Sequence, residues 1–221
     1  NQSADTVLWK RRKGVRFVPH YGRSAIQHKG RFKFFGGAVL EVSGGGRGLV
    51  EMEYKLAEKN SIEVRYDTRA TSLLRGLSGV EGVRIIGSTG REEEIRARAV
   101  VLAAGGFSGN REWRAKYLGP GWDIANARGS RYNTGDGLRM ALDIGAQPYG
   151  QWSGCHSVAW ERYAPPFGEL ENEQNQWYRY GYPFSIMVNA EGKRFVDEGS
   201  DFRNLTYATI GRIVMAQPGS F

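Results

Sequence analysis

Only one cysteine, Cys155, occurs in 221 residues, which excludes an intramolecular disulfide and suits a reducing compartment. No apolar run is long enough to cross a bilayer, and the first residues lack the pattern of a signal peptide. The expectation is a cytoplasmic protein without a transmembrane segment, in which the sequon Asn204-Leu205-Thr206 is accidental. The three histidines, His20, His28 and His156, show no metal-ligand spacing, so no metal site is expected. A phosphate loop is missing too. Counted from Gly44, G-x-G-x-x-G requires a glycine where Leu49 stands, and no P-loop lysine follows. The chain opens without an initiator methionine or a leading strand, as a piece of something larger would.

Negative charge is scarce at one end. Residues 1–40 hold nine Lys and Arg against Asp5 alone, whereas the rest of the chain carries 22 of each sign. The formal net charge of +8 therefore resides entirely in the first forty residues. Such a patch suits a polyanion such as nucleic acid, an anionic cofactor, or a solvated face beside an acidic neighbour. Composition is otherwise that of a globular protein, 40% hydrophobic and 24% charged, with room for one large domain or two small ones.

Element signals follow along the chain. Ser3, Ala4 and Asp5 start a helix that Gly14 stops, and residues 15–18 read as a strand. Gly30 and Gly36-Gly37 punctuate an aromatic hairpin with Phe32, Phe34 and Phe35. The glycine-rich residues 43–48 form a loop leading into a helix that ends near Asn60. Strands are predicted over residues 61–66, through Leu74, over Val80–Ile86 and over 93–99, the last two pairing across Gly87-Ser88-Thr89-Gly90. The run Val100, Val101, Leu102, Ala103, Ala104 reads as a strand buried on both faces. It ends at Gly105-Gly106, where open α/β sheets place ligands and where a plain turn would also fit. Short helices follow over 110–117 and 137–144, the second capped by Thr134. A hairpin about Asn189-Ala190-Glu191-Gly192 and a last helix over 204–216 complete the pattern.

Five stretches in order, YDTRATSLL, GVRIIGSTGREEEIRARAVVLAAGGFSGNREW, NTGDGLRMALDIGA, GCHSV and SIMVNAEGKRFVDEG, resemble the fumarate reductase/succinate dehydrogenase flavoprotein family. VRFVPHYGR and FVDEGSDFRNLTYATIGR are most similar to its tricarballylate dehydrogenase branch. The resemblance implies an α/β (α+β) fold. Residues 1–149 would form a partial FAD-binding domain with a β-meander, and 150–221 part of an α+β capping domain. It implies FAD as cofactor, contacted by Ala70, Ala104, Gly105, Gly106, Thr134, Gly135 and Asp136. At the paired glycines a β-carbon would collide with it.

The same resemblance implies that His156 grips a substrate carboxylate and that Arg203, the next arginine after Gly192-Lys193-Arg194-Phe195, exchanges a proton with the substrate. Because a guanidinium is normally protonated, that role needs a relay, for which Asp197, Glu198 and Asp201 lie nearby; an ordinary ion pair with one of them is the plainer reading. Arg179 is a further candidate clamp by location. A Cys155–His156 dyad is disfavoured, since adjacent residues on an extended segment face opposite ways. The reaction implied is oxidation of a carbon–carbon single bond in a polycarboxylate, with an electron-acceptor protein or quinone pathway as partner and no specific nucleic acid. Trp177, Tyr178 and Gly181 stand where fumarate reductases of the family carry Thr, Glu and a relay arginine, which favours a dehydrogenase. Fumarate reductase and ketosteroid dehydrogenase are the alternatives within the family, and a basic nucleic-acid-binding domain the alternative outside it.

Overall fold

The computed structural model describes residues 2–34, 39–168 and 177–220. They fall into two compact units, Asn1–Asp67 and Thr68–Phe221; the expected division at 149/150 lies within the second.

In the first unit, α1 (Ser3–Arg12) ends on three basic residues that complement the helix dipole, followed by Gly14 at φ +107°. Lys10 bonds Glu53 of α3 (Gly45–Lys59) at 2.8 Å, and Val15 is buried. Strand β1 (Phe17–Pro19) pairs antiparallel with β4 (Leu40–Val42). The one-turn helix α2 (Tyr21–Ser24) leads into the hairpin β2 (Ala25–His28)–β3 (Arg31–Phe34). Its turn residues, Lys29 and Gly30, both adopt positive φ, as the twist of a two-residue hairpin demands. Phe35 and Gly36-Gly37, assigned to this hairpin from the sequence, lie outside the described residues.

Two sequence expectations change here. The glycines expected as a loop form the first turn of α3: at Gly48 a Cβ would stand 2.2 Å from the Ser43 carbonyl oxygen, so only glycine lets the helix start this early. Residues 62–66 join no ladder, and Ile62 is 60% exposed. Their alternation suits a strand, but among the described residues none lies beside them to satisfy the backbone.

The second unit starts with an antiparallel meander, β5 (Arg69–Arg75), β6 (Val80–Ile86) and β7 (Glu92–Arg96), with Leu74 and Ile85 buried. Its outer charges interlock: Arg84 bonds Glu94 opposite at 2.9 Å, and Arg96 reaches Glu81 and Glu94 at 3.0 and 3.1 Å. The run 100–104 is extended but belongs to no sheet, and Val101 is 87% exposed instead of buried. The expected strand does not form: its β-branched composition suits one, but among the described residues no strand lies alongside. Helix α4 (Arg111–Leu118) is capped by Asn110, whose side chain accepts from the Trp113 N–H at 3.1 Å. Helix α5 (Asp136–Asp143) follows the NTG loop.

The last helix, α6 (Arg203–Met215), lies directly on the backbone of Ser157 and Val158. At Gly211 a Cβ would stand 2.7 Å from both the Val158 nitrogen and oxygen, so the approach requires glycine. The Ser157 hydroxyl bridges the Ala208 carbonyl (3.2 Å) and the Arg212 N–H (3.1 Å), groups that an α-helix joins directly. Ahead of α6, the expected hairpin at 189–192 is a turn closed by a single bridge, Val188 to Arg194. The Asn189 side chain accepts from the N–H groups of Glu191 and Lys193. Behind that turn Glu198, 3% exposed, accepts from Arg194 and from the Met187 N–H, both at 2.5 Å.

Those donors hold the Glu198 carboxyl down at about 2, with the Arg194 guanidinium as the largest cause. A depressed carboxyl stabilises the fold above its unfolded value, near 4.5, and the contribution disappears as pH falls through about 2. In the full-length protein Glu198→Gln should therefore melt lower than wild type at neutral pH, and thermal scans should show the gap closing between these two values. Gly211→Ala forces α6 off Ser157 and should cost about 1–3 kcal/mol, read as a lower urea midpoint.

Candidate active site

The residues singled out from the sequence fall into two groups within the second unit. The first gathers at the ends of the 100–104 run, β5 and α5. Ala70 of β5 stands opposite Ile85, and its neighbour Arg69 bonds Asp136 at the start of α5 at 3.2 Å; Arg139 lies 3.8 Å from the same carboxylate. Gly137, in the first turn of α5, faces Ala104, whose Cβ would lie 3.0 Å from a Cβ placed there.

Two asparagines then clasp the AGGFSGN and NTGDG loops together. The Asn133 side-chain amide donates to the Ser108 hydroxyl at 2.8 Å, and the Asn133 backbone carbonyl accepts from the Gly109 N–H, also at 2.8 Å. Asn110 donates to the Thr134 carbonyl at 3.0 Å. Gly135, at φ +87°, sits buried where a Cβ would strike the Trp113 ring at 2.8 Å. Thus Ala104, Gly105, Gly106, Thr134, Gly135 and Asp136 come together, and the Arg69–Asp136 pair brings in Ala70.

Thr134 does not cap α5. Its hydroxyl turns back to the Tyr132 carbonyl at 3.4 Å, and Gly135 takes the cap position without a side-chain bond. The two glycines differ. Gly105 has φ +73° and lies against Asn133, where a Cβ would be 2.7 Å from Oδ1, so the fold itself demands it. Gly106 has no such constraint, and a Cβ there would meet nothing within 4 Å. The bare backbone at Gly106 and the buried Asn133 Oδ1, which has no hydrogen-bond partner among the described residues, fit a cofactor lying along this loop.

The second group forms around α6. The exposed His156 meets the Tyr207 ring edge-on at 5.0 Å; Tyr207 meets Tyr180 at 5.6 Å and 88°; Arg203 lies 5.7 Å from the Tyr180 ring centre. His156 and Arg203, 47 positions apart, are thereby linked through two tyrosines. Among the described residues Arg203 has no carboxylate partner. The carboxylates near it in sequence are engaged elsewhere: Glu198 by Arg194, Asp197 by the Gly199 N–H at 3.1 Å, Asp201 by the Phe202 N–H at 2.6 Å. This leaves both the ion-pair reading and the carboxylate relay without a contact here. The Arg179 guanidinium is ion-paired with Glu161. Cys155 is exposed, yet desolvation of the thiol raises its pKa against the pull of Arg212, opposite to what a nucleophilic dyad needs. Among the described residues no group of three or more His, Cys, Asp or Glu is placed to hold a metal.

Sequence reasoning missed Tyr207, Gly211, Asn133 and Arg114. Arg114, 5% exposed, clasps four backbone carbonyls, those of Ser108, Trp122, Asp123 and Ala125. Desolvation lowers its pKa. Nothing local marks an arginine in an amphipathic helix as buried; only the return of the 122–125 loop reveals it.

Comparison with known proteins gives this geometry a family. The chain is 33% identical over 167 residues to 4-oxocyclohexanecarboxylate 2-dehydrogenase of Sinomonas cyclohexanicum, covering 72% of this chain and 28% of that protein. It is 32% identical over 161 residues to the cytochrome fumarate reductase of Shewanella frigidimarina, covering 71% and 26%. Its backbone superposes on the open conformation of a flavocytochrome c3 fumarate reductase with a TM-score of 0.67, at 24% identity, over 99% of this chain and 36% of that one. The chain thus spans between a quarter and a third of the length of these curated relatives. The model of the family described as FAD binding domain matches residues 1–219, and the chain belongs to that family.

Proposed function

We propose that this chain is a segment of an FAD-dependent dehydrogenase that oxidises a carbon–carbon single bond of a polycarboxylate, of the tricarballylate to cis-aconitate type. The observation that carries the reading is the placement of Arg203, without a carboxylate partner among the described residues, beside His156 on one tyrosine-linked surface. A relative whose named substrate is itself a carboxylate, and whose named activity is a dehydrogenase, supports it. In this reading residues 1–149 contribute to the FAD-binding portion and 150–221 to the capping portion. Reducing equivalents leave to an acceptor protein or a quinone pathway.

Ala70, the loop from Ala104 to Gly106, and Thr134, Gly135 and Asp136 would hold the cofactor. FAD, once bound, supplies the two-electron acceptor that the oxidation requires. The residues of this chain bind, orient and deprotonate. His156 donates a hydrogen bond to one substrate carboxylate. Arg203, entering the step in its neutral form, would take the proton from the carbon it faces, and the guanidinium so formed would stabilise the negative charge that develops on the adjacent carboxylate. The aromatic wall of Tyr180 and Tyr207 limits the freedom of both side chains.

Steady-state assays of the full-length protein with an artificial electron acceptor test this reading. Tricarballylate oxidation should exceed both succinate oxidation and fumarate reduction by a reduced dye, and a 3-ketosteroid should not turn over. Fumarate reduction faster than tricarballylate oxidation, or turnover of the ketosteroid alone, would refute it. Arg203→Lys should lower kcat about 10²-fold or more with flavin content unchanged. The paired glycines give a separate test of the cofactor site. Gly105→Ala should destabilise the fold by about 1–2 kcal/mol through its left-handed backbone. Gly106→Ala should leave stability within about 0.5 kcal/mol and instead reduce the flavin retained on purification.

A further inference from the structure

The tyrosine surface that carries Arg203 continues to a second guanidinium. Tyr178 and Tyr180 stack at 4.6 Å and 11°, and Arg128 lies over the Tyr178 ring at 4.8 Å. The backbone beneath Arg128 is pinned. Ala127, 6% exposed, donates to the Pro166 carbonyl at 2.9 Å, and the Gly168 N–H bonds the Gly129 carbonyl at 3.1 Å. At Gly168 a Cβ would stand 2.0 Å from the Arg128 carbonyl oxygen, so this pairing needs glycine. A fixed backbone thus presents an exposed guanidinium to an aromatic face.

Among the described residues Arg128, like Arg203, has no carboxylate partner, whereas Arg179 is held by Glu161. A guanidinium laid on a ring keeps its in-plane N–H edges available, and those edges match a carboxylate bidentately. Among the described residues two buried donors lack acceptors, the indole N–H groups of Trp160, packed on Tyr178 at 5.3 Å, and of Trp177.

We infer that Arg128, steadied by the stacked Tyr178 and Tyr180, binds an additional carboxylate of the substrate and so selects for substrates with more carboxylates. This rests on His156 and Arg203 forming the substrate site. It assigns the extra clamp to a residue 75 positions from Arg203 in sequence.

The test uses the full-length protein with flavin bound and compares tricarballylate with succinate. Arg128→Leu should raise the KM for tricarballylate roughly ten- to hundredfold with kcat nearly unchanged, and shift the KM for succinate less than about threefold. Arg128→Lys should recover part of the loss, because it restores the charge without the planar fork. Tyr178→Leu, which removes the platform and leaves the charge, should give an intermediate loss. An unchanged KM for tricarballylate in both Arg128 variants, or equal rises for the two substrates, would overturn the inference alone. Wild-type protein that oxidises neither compound would overturn the reading of the site and this inference with it.

Discussion

The insertion of Ser157 into the hydrogen-bond ladder of α6 is the contact on which the candidate substrate site depends. A helix normally spends each mid-helix carbonyl on its own N–H four residues later. Here one hydroxyl sits between the two, and the Ser157 N–H takes the Ala208 carbonyl as well, at 2.7 Å. His156 is the residue before Ser157, so its position along the helix is set by this splice. Tyr207 and Arg203 lie one and two turns toward the start of the same helix, and all three inherit one registration. The buried Tyr182, whose hydroxyl bonds Thr206, fastens the same stretch from the other side.

The cofactor side is built on a different principle. Phe107, packed on Trp113, Tyr117 and Trp152, anchors the AGGFSGN loop, and polar side chains that accept and donate along backbone join it to the NTGDG loop. Asn110 and Asn133 join the loops to each other, and Arg114 joins the first of them to residues 122–125. Burying a guanidinium without a carboxylate is tolerable because carbonyl oxygens satisfy its donors. Of the small residues in these loops Gly106 alone is left without packing of its own, which is the condition for close approach of a planar ligand.

Local signals made most elements legible in the sequence. The bounds of β6 match the prediction, Asn110 announces α4, and α6 lies within a residue of its expected limits. The misread segments share one cause. Residues 62–66 and 100–104 have strand composition, but composition specifies a willingness to pair and not the presence of a neighbour. At the site, resemblance brought out His156 and Arg203, yet the link between them is a tertiary property. Tyr207 is an unremarked helical tyrosine until Gly211 lets its helix touch the 156–158 segment. Thr134 shows the limit of residue-type reasoning about caps, since Gly135 at positive φ takes the cap position and the threonine hydroxyl bonds the Tyr132 carbonyl instead.

The charge ladder on the meander has a consequence for how this sequence can drift. Arg84, Glu94, Arg96 and Glu81 form a chain in which each inner member serves two partners. The Arg84 guanidinium holds the Glu94 carboxyl below its ordinary value, so the pair is felt by both residues although both are half exposed. Reversing Glu94 alone would set three cations side by side on adjacent strands. A neutral path to a new sequence therefore runs through paired exchanges, Arg84 with Glu94 or Arg96 with Glu81. Covariation at these four positions is the evolutionary trace that the register of β6 on β7 should leave.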